Sequence, residues 1–224
     1  MIQLYQGNAM DILNRDLGLF DGVISDPPYA SGSTLAGKQQ STATKYTNAK
    51  KRCPYPDFVG DGMDQRAWGN MMRQVLEQCR SKCRQGAVLA LFIDWRNLPM
   101  LTDAMQWAGW LIRGLVVWDK LSSRPQRGRF CQQAEFIVWG SNGMLPFDRG
   151  VPCLPGVFRG ANVQSNVRVH QTQKPLEVMR DICRIVAPGG RILDPFAGSG
   201  STLITSREEG HPAVGIEASP EIAR

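Results

Sequence analysis

Two short motifs near opposite ends of the chain, Asp26-Pro27-Pro28-Tyr29 and Asp194-Pro195-Phe196-Ala197-Gly198-Ser199-Gly200, constrain the fold more than any other feature. Each follows an apolar run that reads as a buried strand, residues 20–25 before the first and 191–193 before the second. Both motifs therefore fall at strand ends. In an open parallel sheet, ligands bind in the crevice beyond the carboxyl ends of the strands, so motifs this far apart in sequence can meet in space.

The remaining pattern fits such a sheet. Residues 2–5 read as a strand and 9–15 as a short helix. Asp64 caps a predicted helix over 65–84, with Trp68, Met71, Met72, Val75, Leu76 and Cys79 at helical spacing and Gly86 as its terminator. A buried strand follows over 87–93, then a helix over 98–108 and strands over 111–118 and 135–139. A helix over 175–186, the strand at 191–193, a helix over 201–209 and a strand over 213–217 complete the series. Helices and strands alternate, which predicts an α/β fold with a mostly parallel sheet. A chain of 224 residues suits a single domain spanning 1–224. Two stretches break the rhythm: a polar loop over 30–65, and an irregular segment over 141–172 that is a candidate for target recognition.

The net charge of +6 resides in those stretches and their surroundings. Residues 30–65 carry an excess of +2 and residues 119–172 an excess of +4. Lys38, Lys45, Lys50, Lys51, Arg52, Arg124, Arg127, Arg129, Arg149, Arg159 and Arg168 therefore read as a phosphate-facing, DNA-binding set. With 42% hydrophobic and 21% charged residues, the composition excludes a disordered chain. No apolar run reaches membrane-spanning length and no signal peptide is visible, so a cytoplasmic protein without a membrane partner is expected. Six cysteines without a CxxC pair and two histidines argue against a metal site. Cys131 and the tryptophans at 68, 95, 107, 110, 118 and 139 read as core.

The glycine-rich turn lets a ligand approach the backbone closely. Glu217, one strand-helix-strand step later, is placed to hold two ribose hydroxyls. The turn lacks the lysine of a phosphate-binding loop, which suits a nucleoside without phosphates, such as S-adenosylmethionine. Asp-Pro-Pro-Tyr suits a different task. The exocyclic amine of adenine has its lone pair delocalised into the ring and must be polarised before it can accept a methyl group. The Asp26 carboxylate and the backbone carbonyl at Pro27 can each accept a hydrogen bond from that amine, and Tyr29 offers a face for an extruded base.

On these residues the chain resembles the β group of amino-group DNA methyltransferases, in which the catalytic motif precedes the cofactor motif. Four segments carry the resemblance in order: YQGNAMDIL, DGVISDPPY, HQTQKPLEVM and RILDPFAGSGSTLITSREEGHPAVGIEASPEI. The resemblance implies a Rossmann-like, S-adenosylmethionine-dependent methyltransferase sheet of seven strands, circularly permuted so that residues 1–5 lie beside the last strand, with loop insertions for DNA binding. It implies a catalytic loop of Asp26, Pro27, Pro28 and Tyr29. The cofactor would be lined by Asp194, Phe196, Ala197, Gly198, Ser199 and Gly200, with Glu217 on its ribose. Ser201, Thr202 and Lys174, with Gln173 beside it, would reach the cofactor carboxylate. Asn8, with Ala9, stands near the adenine ring, where many relatives carry an acid.

The implied activity is adenine-N6 methylation of DNA by base flipping and direct transfer, as in restriction-modification systems, without a cysteine nucleophile. An Asp at the first motif position leans toward adenine and a Ser toward cytosine-N4. Cytosine-N4, RNA adenine and a non-catalytic subunit with this fold remain as alternatives. The expected partner is double-stranded DNA, with single-stranded DNA also open, and the oligomeric state is open between monomer and homodimer. The short irregular segment implies loose sequence specificity. The sequence leaves open both the target site and an accompanying restriction enzyme.

Overall fold

The structure, a computed structural model, describes residues 1–29, 63–121, 127–161 and 174–220. Its strands are β1 (Ile2–Gln6), β2 (Phe20–Ser25), β3 (Cys83–Ile93), β4 (Leu111–Asp119), β5 (Ala134–Ser141), β6 (Val157–Arg159), β7 (Ile192–Asp194) and β8 (Ala213–Glu217). Its helices are α1 (Ala9–Leu13), α2 (Gln65–Ser81), α3 (Leu98–Trp107), α4 (Leu176–Cys183) and α5 (Ser201–Glu208). Among the described residues there are eight strands in one sheet, ordered β1-β8-β7-β2-β3-β5-β4-β6, one more than the seven expected.

The sheet is parallel from β1 through β3, and β5 runs antiparallel to both neighbours. The reason is the connection. β4 leads into β5 through residues 120–133 without a crossover helix among the described residues, so β5 returns along β4 as in a hairpin. β6, absent from the sequence reading, adds a short parallel edge to the end of β4. The pairing of β1 with β8 is as anticipated.

Side-chain alternation on β3 shows how the layers form. Leu89, Leu91 and Ile93 face one core with Ile12, Trp68, Met72, Leu76, Leu101 and Met105 from α1, α2 and α3. Val88, Ala90 and Phe92 face the other, with Val178, Met179, Ile182 and Leu203 from α4 and α5. Both faces of the central strands are thus covered, which is why they read as unbroken apolar runs.

Several boundaries differ from the sequence reading. Asp64 caps α2 as expected, accepting from the backbone of Arg66 and Ala67, but the helix stops at Ser81. Gly86, with φ of +79°, lies inside β3 at a shift of its register with β2, so the glycine serves a bulge rather than a helix end. Trp68, Trp110 and Trp118 are buried, whereas Trp95 and Trp107 are about half exposed and Cys131 is exposed, against the expectation of core. Trp95 sits in the turn after β3. Trp107 lies off the buried stripe of Leu101, Ala104 and Met105 on α3. Among the described residues no helix is long and apolar enough to cross a membrane.

Candidate active site

β7 and β2 are neighbours, and the helices that follow them pack on opposite faces of the sheet, α5 on one and α2 on the other; in a parallel sheet such a switch point is where a ligand crevice forms. β2 delivers Asp26 to this edge and β7 delivers Asp194. The two strand ends are tied directly, because the Ser25 hydroxyl donates to Asp194 Oδ1 at 2.5 Å in a fully buried bond.

At the β2 end, the Asp26 side chain is 22% exposed and both its oxygens are engaged. Tyr29 donates its phenolic proton to Oδ1 at 2.6 Å, and Lys174 Nζ lies 2.8 Å from Oδ2. Lys174 is itself buried. It also lies 3.1 Å from Glu135 Oε2, donates to the Tyr29 hydroxyl at 2.9 Å, and sits over the rings of Tyr29 and Phe92. Lys120 Nζ closes the group at 3.2 Å from Glu135 Oε1. Burial raises the Asp26 carboxyl above its ordinary value, and Lys174 and Tyr29 only partly oppose this. Burial acts the same way on Glu135, but Lys174 and Lys120 outweigh it and hold that acid below its ordinary value. For Lys174, burial disfavours the ammonium, yet Asp26 and Glu135 prevail and keep it firmly protonated.

The loop backbone is clamped as well. Trp68 Nε1 donates to the Pro28 carbonyl at 2.6 Å, and Asn97 Nδ2 donates to the Tyr29 carbonyl. Two carbonyls of the motif are therefore anchored.

At the β7 end the construction uses backbone. Gly198 and Gly200 have φ of +49° and +78°, conformations that favour glycine. A Cβ built at Gly200 would meet nothing within 4 Å, and one at Gly198 would touch only the Phe196 carbonyl, so the turn borders open space. Glu217 Oε2 accepts from the Gly198 amide at 2.8 Å and Oε1 from the Ser219 amide at 2.7 Å. The acid is thereby fixed at the end of β8 with its carboxylate beside the turn. An open glycine turn, a fixed carboxylate and the N-terminus of α5 fit a nucleoside carrying an anionic tail.

Several residues expected to line the cofactor have other partners or are buried in the structure. Asp194 is buried rather than lining the crevice, and accepts from Ser25, Thr202 and the Phe196 amide. Burial pushes its carboxyl up to about 6, and the Ser25, Thr202 and Phe196 bonds only moderate that rise. Thr202 and Ser201 are themselves buried. Lys174 is engaged with Asp26 and Glu135 rather than with α5. The Asn8 side chain caps α1 by accepting from the Met10 amide at 2.9 Å, which turns its oxygen to the backbone. Ala9 is buried against the core.

Of the basic set, Arg127 and Arg129 are exposed in the segment before β5, and the Arg159 side chain on β6 is 76% exposed near Asp119. Arg149 does not fit the set. Its guanidinium donates to the Ile185 carbonyl at 2.9 Å just beyond α4, so it serves the fold. Lys38, Lys45, Lys50, Lys51, Arg52, Arg124, Arg168 and Gln173 lie outside the described residues.

Sequence reasoning missed Glu135, Lys120, Asn97 and Trp68 as parts of this site. Glu135 lies at the start of a strand, one residue into β5, and the start of a parallel strand lies at the edge away from the crevice. Only the reversal of β5, with Phe136 opposite Ile93, brings it to Asp26.

A family model described as DNA methylase, covering N6 and N4 methyltransferases, matches residues 20–148 and 154–224. The chain is 24% identical over 220 residues to YubD of Escherichia coli (strain K12), a candidate methylase, covering 97% of this chain and 85% of that protein. Its fold is similar to that in the crystal structure of the M1.HpyAVI-SAM complex, with a TM-score of 0.72, 20% identity, and coverage of 100% of this chain and 96% of that one. It is similar also to the PvuII DNA methyltransferase, cytosine-N4-specific, with a TM-score of 0.71, 14% identity, and coverage of 99% and 83%. Matched over most of its length, the chain belongs to the family of N6/N4 DNA methylases.

Proposed function

We propose that the protein is an adenine-N6 DNA methyltransferase that uses S-adenosylmethionine. The observation that carries this reading is the part-buried Asp26 carboxylate at the end of β2, tied through Ser25 and Asp194 to the glycine turn. Gly198, Ser199, Gly200 and Glu217 would hold the cofactor, which supplies a methyl group on a sulfonium and leaves as a neutral thioether. The target base is flipped into the crevice. Its amine donates one hydrogen bond to Asp26 and one to the Pro27 carbonyl, which directs electron density onto nitrogen as the new C–N bond forms and the C–S bond breaks. The proton released from the methylated amine passes to Asp26, whose raised pKa suits it to accept.

Among the described residues, the buried cysteines are unsuited to act as nucleophiles. The buried thiols of Cys83 and Cys183 are pushed up to about 12 and about 11, mainly by burial, and stay protonated. The order of the motifs and the pairing of β1 with β8 support a circularly permuted sheet. The exposed Arg127, Arg129 and Arg159 are suited to phosphates, which position DNA without reading its sequence. The reading therefore includes loose target specificity.

The test is methyl transfer from labelled cofactor to duplex DNA of random sequence, followed by nucleoside analysis and mapping of modified bases. N6-methyladenine at many short contexts is expected. N4-methylcytosine would overturn the base assignment, and a single enforced site of four or more bases would overturn loose specificity. Cofactor binding without transfer would point to a non-catalytic subunit.

A further inference from the structure

Resting on that reading, we infer that Glu135 is a positioning residue: it gives the Lys174 ammonium a second seat, so that Asp26 can exchange Lys174 for the target amine. Lys174 Nζ is 2.8 Å from Asp26 and 3.1 Å from Glu135, and its third donor goes to the Tyr29 hydroxyl. The ammonium thus sits between two carboxylates on different strands. Lys120 holds the far oxygen of Glu135 at 3.2 Å, which keeps that acid ionised and its near oxygen aimed at Lys174.

The chemistry explains why two seats matter. A carboxylate at the base of the crevice requires a cation nearby to remain ionised before substrate arrives. The same cation, if fixed on Asp26, competes with the amine for the carboxylate and opposes the positive charge that develops on nitrogen during transfer. A small shift of Lys174 toward Glu135 removes that conflict without leaving a buried charge unpaired. Among the described residues, the charged and titratable groups facing Asp26 are Tyr29 beyond β2, Lys174 before α4, Glu135 on β5 with Lys120 behind it, and Asp194 at the end of β7.

The test uses single-turnover pH–rate profiles with saturating cofactor and an adenine-containing duplex, for wild type, E135Q, E135D and K120M. The neutral amide of E135Q would leave Lys174 wholly on Asp26, so the acid limb of this variant should move down by about one pH unit and the plateau rate fall about tenfold or more. E135D should restore most of both. K120M should act in the same sense and more weakly, moving the acid limb down, because Glu135 without Lys120 is less firmly ionised and less well aimed and so seats Lys174 less well. Cofactor affinity should change less than about twofold in every variant. If E135Q does not fold, the direction of the K120M shift decides. Acid limbs coincident with wild type, or a fall in rate together with weakened cofactor binding and an unmoved limb, would overturn the inference. Absence of transfer by the wild-type protein would instead overturn the functional reading beneath it.

Discussion

The two ends of the crevice are built by different physical means. At β2 the working surface is a cluster of side chains, in which Asp26, Tyr29, Lys120, Glu135 and Lys174 converge from separate elements and balance one another's charge. At β7 it is a turn of backbone, held open by two glycines and fixed by one carboxylate that accepts from two amides. Side chains can shift and exchange partners during a reaction, which suits the end where charge changes. Backbone in a tight turn cannot, which suits an end that only has to hold a ligand.

The sharpest test of this contrast is Asp26→Ala. It should lower single-turnover methyl transfer at least a hundredfold, on the scale of removing a transition-state hydrogen-bond partner, and leave cofactor affinity within about twofold. Equal losses in transfer and cofactor binding would show the two ends to be one unit.

The next test concerns the acid buried beneath the backbone turn. With its folded value near 6 against an ordinary 3.8, Asp194 binds its proton more tightly in the folded state. Its contribution to stability is fully present below about pH 4 and is lost as pH rises through about 6, on the order of 3 kcal/mol in all. Asp194→Asn keeps an acceptor for Ser25 and the Phe196 amide but removes that dependence. Denaturant unfolding between pH 4 and 7 should show a stability for the variant, relative to wild type, that rises across this window. Parallel curves would mean that Asp194 is paired more fully than its surroundings indicate.

Glu217→Ala should weaken cofactor binding about ten- to a hundredfold, as expected for losing charge-assisted hydrogen bonds worth roughly 1.5 to 3 kcal/mol. Calorimetry resolves this, and an unchanged dissociation constant would leave the turn to act by shape alone. The smallest effects separate two arginines. Arg149→Ala should lower stability by about 1 kcal/mol and leave DNA affinity unchanged, because its hydrogen bond is to the Ile185 carbonyl. Arg159→Ala should leave stability unchanged and reduce the salt dependence of DNA binding by about one counterion. The reverse pattern would exchange their roles.

The same contrast decides what could be read from the sequence. The glycine turn is local: strand, acid, turn and helix follow within a dozen residues, and each residue type has a local reason. Glu217 was legible for the same cause, being one step of the repeating pattern away. The side-chain cluster was half legible. Asp26 and Tyr29 belong to one motif, but Glu135 depends on a strand direction that composition does not encode, and apolar runs look alike in either direction. Lys174 was expected at the cofactor carboxylate and stands with Asp26 and Glu135, since its sequence position, close to the glycine motif, says nothing of its neighbours across the sheet. Ser25, one residue before the catalytic motif, read only as the last residue of a strand.

That serine sets a dimension. Ser25 immediately precedes Asp26, and its partner Asp194 begins the glycine turn, so one buried contact between adjacent strands fixes the span across which a group must travel from one pocket to the other. The span is referenced to paired strands of the sheet and to none of its connecting segments. Those segments can therefore be lengthened, shortened or recharged to suit a different stretch of nucleic acid while the transfer gap keeps its width.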